Sequence, residues 1–519
     1  MEMKRKILAA LCAALCAVML LVSAAACTDS GEMDSSAGEI RLFGNSFNYS
    51  KYDSETYLTY LDCRGSTIYC TEETAKAYPK LAAALEKNAD KIQQSAGKFS
   101  SEEDKAAHDF SKDGRTGRYM DTTFSVVKRA DEKAVSIEYE GYNFSGGAHG
   151  MYWYASRNID PTTGEEIALS DVVKDQNKLN ERLLKELDLR YPEMEIAKRE
   201  NPFGAYDMNV TATDLTKAAY TFTLDPDGIC FYFSTYDLGS NADGVQMVKL
   251  LYSDAPDLFV RDYSVSGGYV SGLVEKGLYD LGGDGTVDEL YFYGIEEELN
   301  QYYNGVYVEK NGKGMKSDLY SYDMDAFVVH TEDNRDYLYV ITHMDNDGSN
   351  LLIFDLGGEK PSLVEDTGYG LYLAGLEEKS VYGYERITDI HDFTLTLRCD
   401  LLATFTATFN TSVGADGKPV LPEDGFFAVP ENVNTLESAK AFKADIVDES
   451  GQVVSKDVEI PAGETFKLIR TDGNTIVDAR LSDGRLARLE LERGDDSYLA
   501  TVNGQLSEEE AFKTLYYAG

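Results

Sequence analysis

Residues 121–156 read DTTFSVVKRADEKAVSIEYEGYNFSGGAHGMYWYAS. β-branched and aromatic residues fill three runs, broken by the charged turn Asp131-Glu132-Lys133 and by a turn holding Gly146, Gly147 and Gly150. Such side chains suit a pleated, half-buried surface, so the stretch predicts a meander of strands. Glycine admits positive φ and close backbone approach, which places His149 in the second turn, just ahead of Trp153, the only tryptophan of the chain. General-base work by His149 would need a carboxylate, Ser or Cys within hydrogen-bond reach. The local sequence offers none in an obvious register, and a turn is the expectation.

Upstream, Lys4, Arg5 and Lys6 precede an apolar run over residues 7–22 and then Ser23-Ala24-Ala25-Ala26-Cys27. That is the layout of a secretory leader with a small-residue cleavage site, and the apolar run falls short of the roughly 20 residues a membrane span prefers. Cys27 directly after the small residues resembles a bacterial lipobox, which implies a lipid-modified Cys27 as the mature N-terminus. Residues 1–26 then read as the signal peptide and 27–38 as a small, polar tether too poor in apolar side chains to fold. The expected location is outside the cytoplasm, anchored to the bacterial membrane by lipid.

The chain of 519 residues carries a net charge of −41, and since the leader contributes +2 the mature protein stands near −43. Nucleic acid and anionic membrane surfaces require a basic face, so neither is an expected ligand. A field of this sign favours cationic partners. Four cysteines remain after Cys27: Cys63, Cys70, Cys230 and Cys399. They form no metal spacing and no disulfide framework, although Cys63 and Cys70 flank RGSTIY and could bridge a hairpin.

Past the tether, TYLTYLDCRGSTIYC reads as a strand pair, followed by a helix with Tyr78, Leu81, Leu85 and Ile92 on one face and Pro79 at its start or at a kink. After the meander, Val172, Leu179, Leu183 and Leu187 mark a second helix, with Ser170 as its cap and Pro192 at its close. YTFTLDPDGICFYFSTYD and GVQMVKLLYSD return to strands. Residues 39–255 thus read as an α/β domain with an antiparallel sheet and two main helices, each helix burying one apolar stripe on the sheet.

GGAHG at 146–150, the aromatic strand after it, DPTTGEEIALSD at 160–171 and LDPDGICFYFSTYDLGSNADGVQMVKLLYSD at 224–254 resemble the C-terminal domain family of RsiV/PdaC type, shared by a lysozyme-sensing anti-sigma factor and a peptidoglycan deacetylase. The resemblance implies an α/β unit of actin/Hsp70-like kinship in a domain family of unknown function. Trp153 and Tyr236 are the candidate ligand-binding residues of this region. Residues 235–242, TYDLGSNA, depart from the aromatic-rich stretch usual in that family.

Residues 256–403 change to Tyr-rich strands with Asp/Gly/Asn turns. AFVVHTEDNRDYLYVITHMDNDGSNLLIFDLGG reads as three strands, a blade-like meander without a strict repeat. Within it DLGGDGTVDEL, residues 280–290, resembles calcium loops of the DxDGDGxxD kind. Asp280, Asp284 and Asp288 are the expected calcium ligands, although Gly282 replaces the third-position acid; a solvated acidic turn is the competing reading, and no other cofactor is implied. Residues 404–519 predict a small SH3-like β-barrel. Its signals are the Asp472-Gly473 and Asp483-Gly484 turns, the alternation of Ala487, Leu489 and Leu491 with Arg488, Glu490 and Glu492, and a Ser507/Glu510 capping box on a final helix. The fold class expected overall is α+β.

GxxxxGK[ST], HExxH and GxSxG are absent from the sequence. His330 and His343, on neighbouring predicted strands, could approach one another. The function expected is that of a non-catalytic surface lipoprotein binding an extracellular protein or cell-wall ligand, with lysozyme a candidate because it is cationic. An envelope enzyme acting on peptidoglycan or another glycan, and an adhesive module, are the alternatives.

Overall fold

The computed structural model describes residues 39–518 apart from 113–117, 201, 205, 210–218, 298–299, 346–347 and 494–499. The leader, Cys27 and the tether lie outside the described residues. What is described is a mixed, strand-rich α+β fold of several sheets.

The first sheet is built on the strands Leu42–Asn48, Thr59–Cys70, Tyr119–Ala130, Val135–Phe144 and Met151–Ile159. The meander is present as expected, with Gly141 opposite Trp153 and Tyr142 opposite Tyr152. The sheet is not wholly antiparallel, however: Thr59–Cys70 and Tyr119–Ala130 run parallel, Leu61 opposite Tyr119. A parallel pair needs a long crossover, and the helices Glu72–Ala77, Pro79–Ser95 and Ser101–Lys112 supply it. Pro79 occupies the first turn of its helix, where its missing N–H costs nothing, and Leu81, Leu85 and Ile92 are buried against the sheet.

TYLTYLDCRGSTIYC corrects the sequence reading, because residues 59–70 form one strand. Gly65 serves close packing within it; an added Cβ would lie 2.0 Å from the Thr123 carbonyl oxygen. Cys63 and Cys70 therefore stand seven residues apart on one strand, roughly 23 Å at strand rise. Both are free and buried, and a bridge between them is excluded.

A three-stranded sheet, Thr221–Leu224, Gly228–Phe233 and Gln246–Leu251, follows. Helix Gln176–Arg190 lies on it and buries Leu179, Leu183 and Leu187. Its cap is Asp175, whose carboxylate accepts the N–H groups of Asn177 and Lys178; Ser170 instead belongs to a separate turn of helix, Leu169–Val172.

The middle region stacks two sheets. One has Tyr269–Leu273, Asp323–His330, Asp336–His343, Leu351–Asp355 and Ser362–Thr367 in that order; the other has Lys276–Tyr279, Asp288–Glu297, Asn300–Lys310 and Lys313–Ser321. Val328, Leu338, Val340 and Phe354 of the first meet Leu290, Phe292, Val306 and Val308 of the second. On the other face of the first sheet, Phe327, Val329, Tyr339 and Ile353 join a core with Leu395, Ala407 and Phe409. Burial on both faces explains why AFVV, YLYVI and LLIF are continuous apolar runs without alternation.

Two middle strands, Leu373–Leu376 and Val381–Glu385, extend the N-terminal sheet, Phe43 lying opposite Glu385. Tyr369–Leu371 and Phe393–Asp400 join the C-terminal sheet. That sheet corrects the barrel expectation. Its path runs open from Tyr369–Leu371 through Thr465–Thr471, Ile476–Leu481 and Leu486–Glu492 to Phe442–Val447 and Val453–Ile460, and does not close on itself. Alternation in LARLELE places Leu489 and Leu491 in the core, and it does so equally in a barrel or an open sheet. The final helix is one turn, Glu508–Ala511, carrying the Ser507/Glu510 box, and Phe512 is buried behind it.

Candidate binding face

The glycine-rich turn positions aromatic rings. A Cβ on Gly141 would sit 2.1 Å from the Trp153 ring, and one on Gly150 would sit 2.3 Å from the Tyr142 ring, so both glycines are seats for those side chains. Trp153 is half-buried against the N-terminal core. The Tyr142 and Tyr152 rings lie 4.7 Å apart, with Tyr152 exposed. His149 is exposed, and its ring nitrogens face the Gly150 carbonyl at 3.3 Å and the Tyr236 hydroxyl at 3.5 Å. Neither neighbour is a carboxylate, and among the described residues the imidazole is paired with no acid.

The departing segment at 235–242 acquires a clear task. The Thr235 N–H donates to the Tyr152 carbonyl (3.1 Å), the Thr235 hydroxyl accepts the Tyr152 N–H (3.2 Å), and the Ser234 hydroxyl accepts the Tyr154 N–H (3.0 Å). This covers the edge of strand Met151–Ile159. Tyr236 beside it has φ 78°, an uncommon value for a side chain of that bulk, and presents its half-exposed ring next to His149. Trp153 and Tyr236 thus lie in one neighbourhood, Trp153 facing the core and Tyr236 facing solvent.

The same surface continues onto the four-stranded sheet. Burial pushes the Tyr152 hydroxyl up to about 12, helped by Glu275, Tyr142, Glu140 and Tyr291 close by. From Tyr291 the rings run to Tyr293 (6.1 Å) and Tyr307 (5.1 Å), with Tyr302, Tyr320 and Tyr322 forming a second group. Carboxylates stand among them: the Tyr307 hydroxyl donates to Glu309 at 3.0 Å and the Tyr322 hydroxyl to Asp345 at 2.9 Å. These tyrosines were missed in the sequence because strands favour Tyr for packing alone; the outward parity of Tyr291 and Tyr293, set against buried Leu290 and Phe292, was the available signal.

Beneath this face lies a buried ionic hub. Lys128 donates to the Gly272 carbonyl (2.9 Å) and the Tyr279 hydroxyl (3.1 Å), 3.7 Å from Glu138. Lys249 donates to the Leu278 carbonyl (2.7 Å) and pairs with Asp225 (3.0 Å) and Asp227 (2.6 Å). Both ammonium groups lie over the Tyr279 ring, at 5.0 and 5.1 Å, and the Tyr232 hydroxyl donates to Glu138 at 3.0 Å. Burial opposes the Lys249 charge, but Asp225 and Asp227 outweigh it and hold its pKa above the ordinary lysine range. Glu140, next outward from the hub, is driven well up by burial and by Glu138 and Glu275. Charged residues at inward positions of apolar strands, as in SIEYEG and QMVKLL, were the sequence sign of this hub.

His330 and His343 sit at opposite ends of one hairpin, His330 opposite Asp336 and His343 opposite Asp323. Each pairs with its own carboxylate, Asp336 at 2.8 Å and Asp325 at 2.9 Å; antiparallel register separates them. In the acidic loop Asp280 accepts the Gly285 N–H (3.0 Å), Asp284 accepts the Thr286 N–H (2.8 Å) and Asp288 binds the Asn311 amide. Among the described residues no group of three or more His, Cys, Asp or Glu side chains converges as a metal site, and no helix is long and apolar enough to cross a membrane.

No family model matches the chain, and no curated protein matches it. Among solved structures it is similar to a DUF3298 family member from Bacteroides fragilis NCTC 9343, with 16% identity, 43% of this chain and 95% of that chain covered, and a TM-score of 0.32. It is also similar to a DUF3298 family protein from Pseudomonas aeruginosa PAO1, with 14% identity, 44% and 98% covered, and a TM-score of 0.31. DUF3298 is a family of unknown function.

Proposed function

We propose that the protein is a non-catalytic binding protein of the bacterial cell surface, tethered through Cys27, whose tyrosine face takes up a cationic extracellular protein such as lysozyme. The observation that carries the reading is the run of half-exposed rings from Tyr236 and Tyr152 to Tyr291, Tyr293 and Tyr307, with acids among them, on a chain of net charge −41. Tyrosine offers large contact area with little conformational freedom to lose, and a Lys or Arg over such a ring gains about 0.5–2 kcal/mol. The acidic field speeds encounter with a basic partner and makes it salt-sensitive. Titration of residues 39–519 with lysozyme at low and moderate salt tests it: binding that weakens with salt is expected, and no binding at either salt removes this partner.

A further inference from the structure

We propose a second binding site, for a short carboxylate-terminated peptide, in the cleft between helix Gln176–Arg190, strand Gln246–Leu251 and residues 285–287. The cleft has a volume of about 550 Å³, within the roughly 300–1,000 Å³ range of ligand pockets. It is remote in chemistry from the tyrosine face, because its helix wall is basic in an otherwise acidic protein.

Arg182, Lys185 and Leu189 follow one another at spacings of three and four, which puts them on one helix face, and all three line the cleft. Arg190 closes one end, donating to the Val287 carbonyl at 2.9 Å. Among the described residues neither Arg182, Lys185 nor Arg190 has a carboxylate within ion-pair distance. Glu186 and Asp254 also line the cleft, and Lys249 at its base is already neutralised by Asp225 and Asp227. Arg182, Lys185 and Arg190 set against Glu186 and Asp254 leave the cleft lining with a small net positive charge, and Arg182 and Lys185 free to meet an anion.

The opposite requirement comes from the apolar parts. Leu189 is 71% exposed at the rim and Val287 is half-buried beside it, while Leu250, Leu251 and Ala255 form a buried floor beneath them. A bare inorganic anion would satisfy the guanidinium and ammonium groups and leave Leu189 and Val287 wet. A peptide with a leucine-like side chain and a free C-terminal carboxylate satisfies both, since guanidinium matches carboxylate in two parallel hydrogen bonds.

The test is calorimetric titration of the protein with acetyl-Leu-Glu-Ala-Leu as the free acid, its C-terminal amide, and inorganic phosphate. Binding of the free acid, at least tenfold weaker for the amide and for R182E/K185E, is expected. Leu189→Ser, at a position too exposed to threaten the fold, should weaken the peptide and leave the melting temperature unchanged. No binding of the free acid, equal binding by R182E/K185E, or displacement of the peptide by equimolar phosphate would each overturn the assignment. Lysozyme titration of the charge-neutral Leu189→Ser variant should match the unmodified protein, which separates this site from the tyrosine face.

Discussion

Lys249 and Asp225 form an ion pair of 3.0 Å with both side chains essentially out of contact with solvent. The pair joins the three-stranded sheet to strand Lys276–Tyr279 through the Leu278 carbonyl, so it fastens the N-terminal unit to the sheet that carries Tyr291 and Tyr293. Removing one partner of such a pair leaves a buried charge without compensation. Lys249→Ala should therefore cost about 3–5 kcal/mol of stability by chemical denaturation, and Lys249→Met combined with Asp225→Asn should recover part of that loss. A loss below about 1 kcal/mol for Lys249→Ala would show that the hub does not hold the units together.

Glu385 gives the stability a pH dependence of definite sign. Burial raises its carboxyl from the usual range to about 7, against the opposing pull of Arg41. The folded protein thus favours the protonated form. This contribution is fully present below about pH 4.5 and is lost as pH rises through about 7. Glu385→Gln should flatten the stability profile across that window; an unchanged slope would place the titration elsewhere.

Gly141 should be intolerant of any side chain. Its added Cβ would meet the Trp153 ring at 2.1 Å, and overpacking of this kind costs about 1–3 kcal/mol. Because Trp153 is the only tryptophan, Gly141→Ala should shift the fluorescence maximum together with the melting temperature. A spectrum identical to that of the unmodified protein would contradict the packing described.

The strands were legible where periodicity carried them. DTTFSVVKRADEKAVSIEYEGYNF gave two strands at Tyr119–Ala130 and Val135–Phe144, and AFVV, YLYVI and LLIF gave the three central strands of the middle sheet. Pairing was less legible. Nothing local in RGSTIYC distinguishes one long strand from a hairpin, and nothing in LARLELE distinguishes an open sheet from a barrel, because both depend on which distant strand lies alongside. The same holds for Val381–Glu385, which pairs on one side with its neighbour Leu373–Leu376 and on the other with Leu42–Asn48, over 300 residues upstream. At the candidate face Trp153 and Tyr236 were candidates in the sequence, whereas Tyr152, Tyr293 and Tyr307 emerged only when the register showed which way each ring points.

The tyrosine face can be tested apart from the overall charge. Tyr152→Ser, Tyr293→Ser and Tyr307→Ser combined remove exposed and half-exposed rings, leave the net charge of −41 unchanged, and touch no member of the hub. The decisive measurement is the dissociation constant for lysozyme of this triple variant against the unmodified protein at one moderate salt concentration, with melting temperatures compared in parallel. The account predicts at least a tenfold weakening with little change in melting; equal affinity for the two proteins would contradict it.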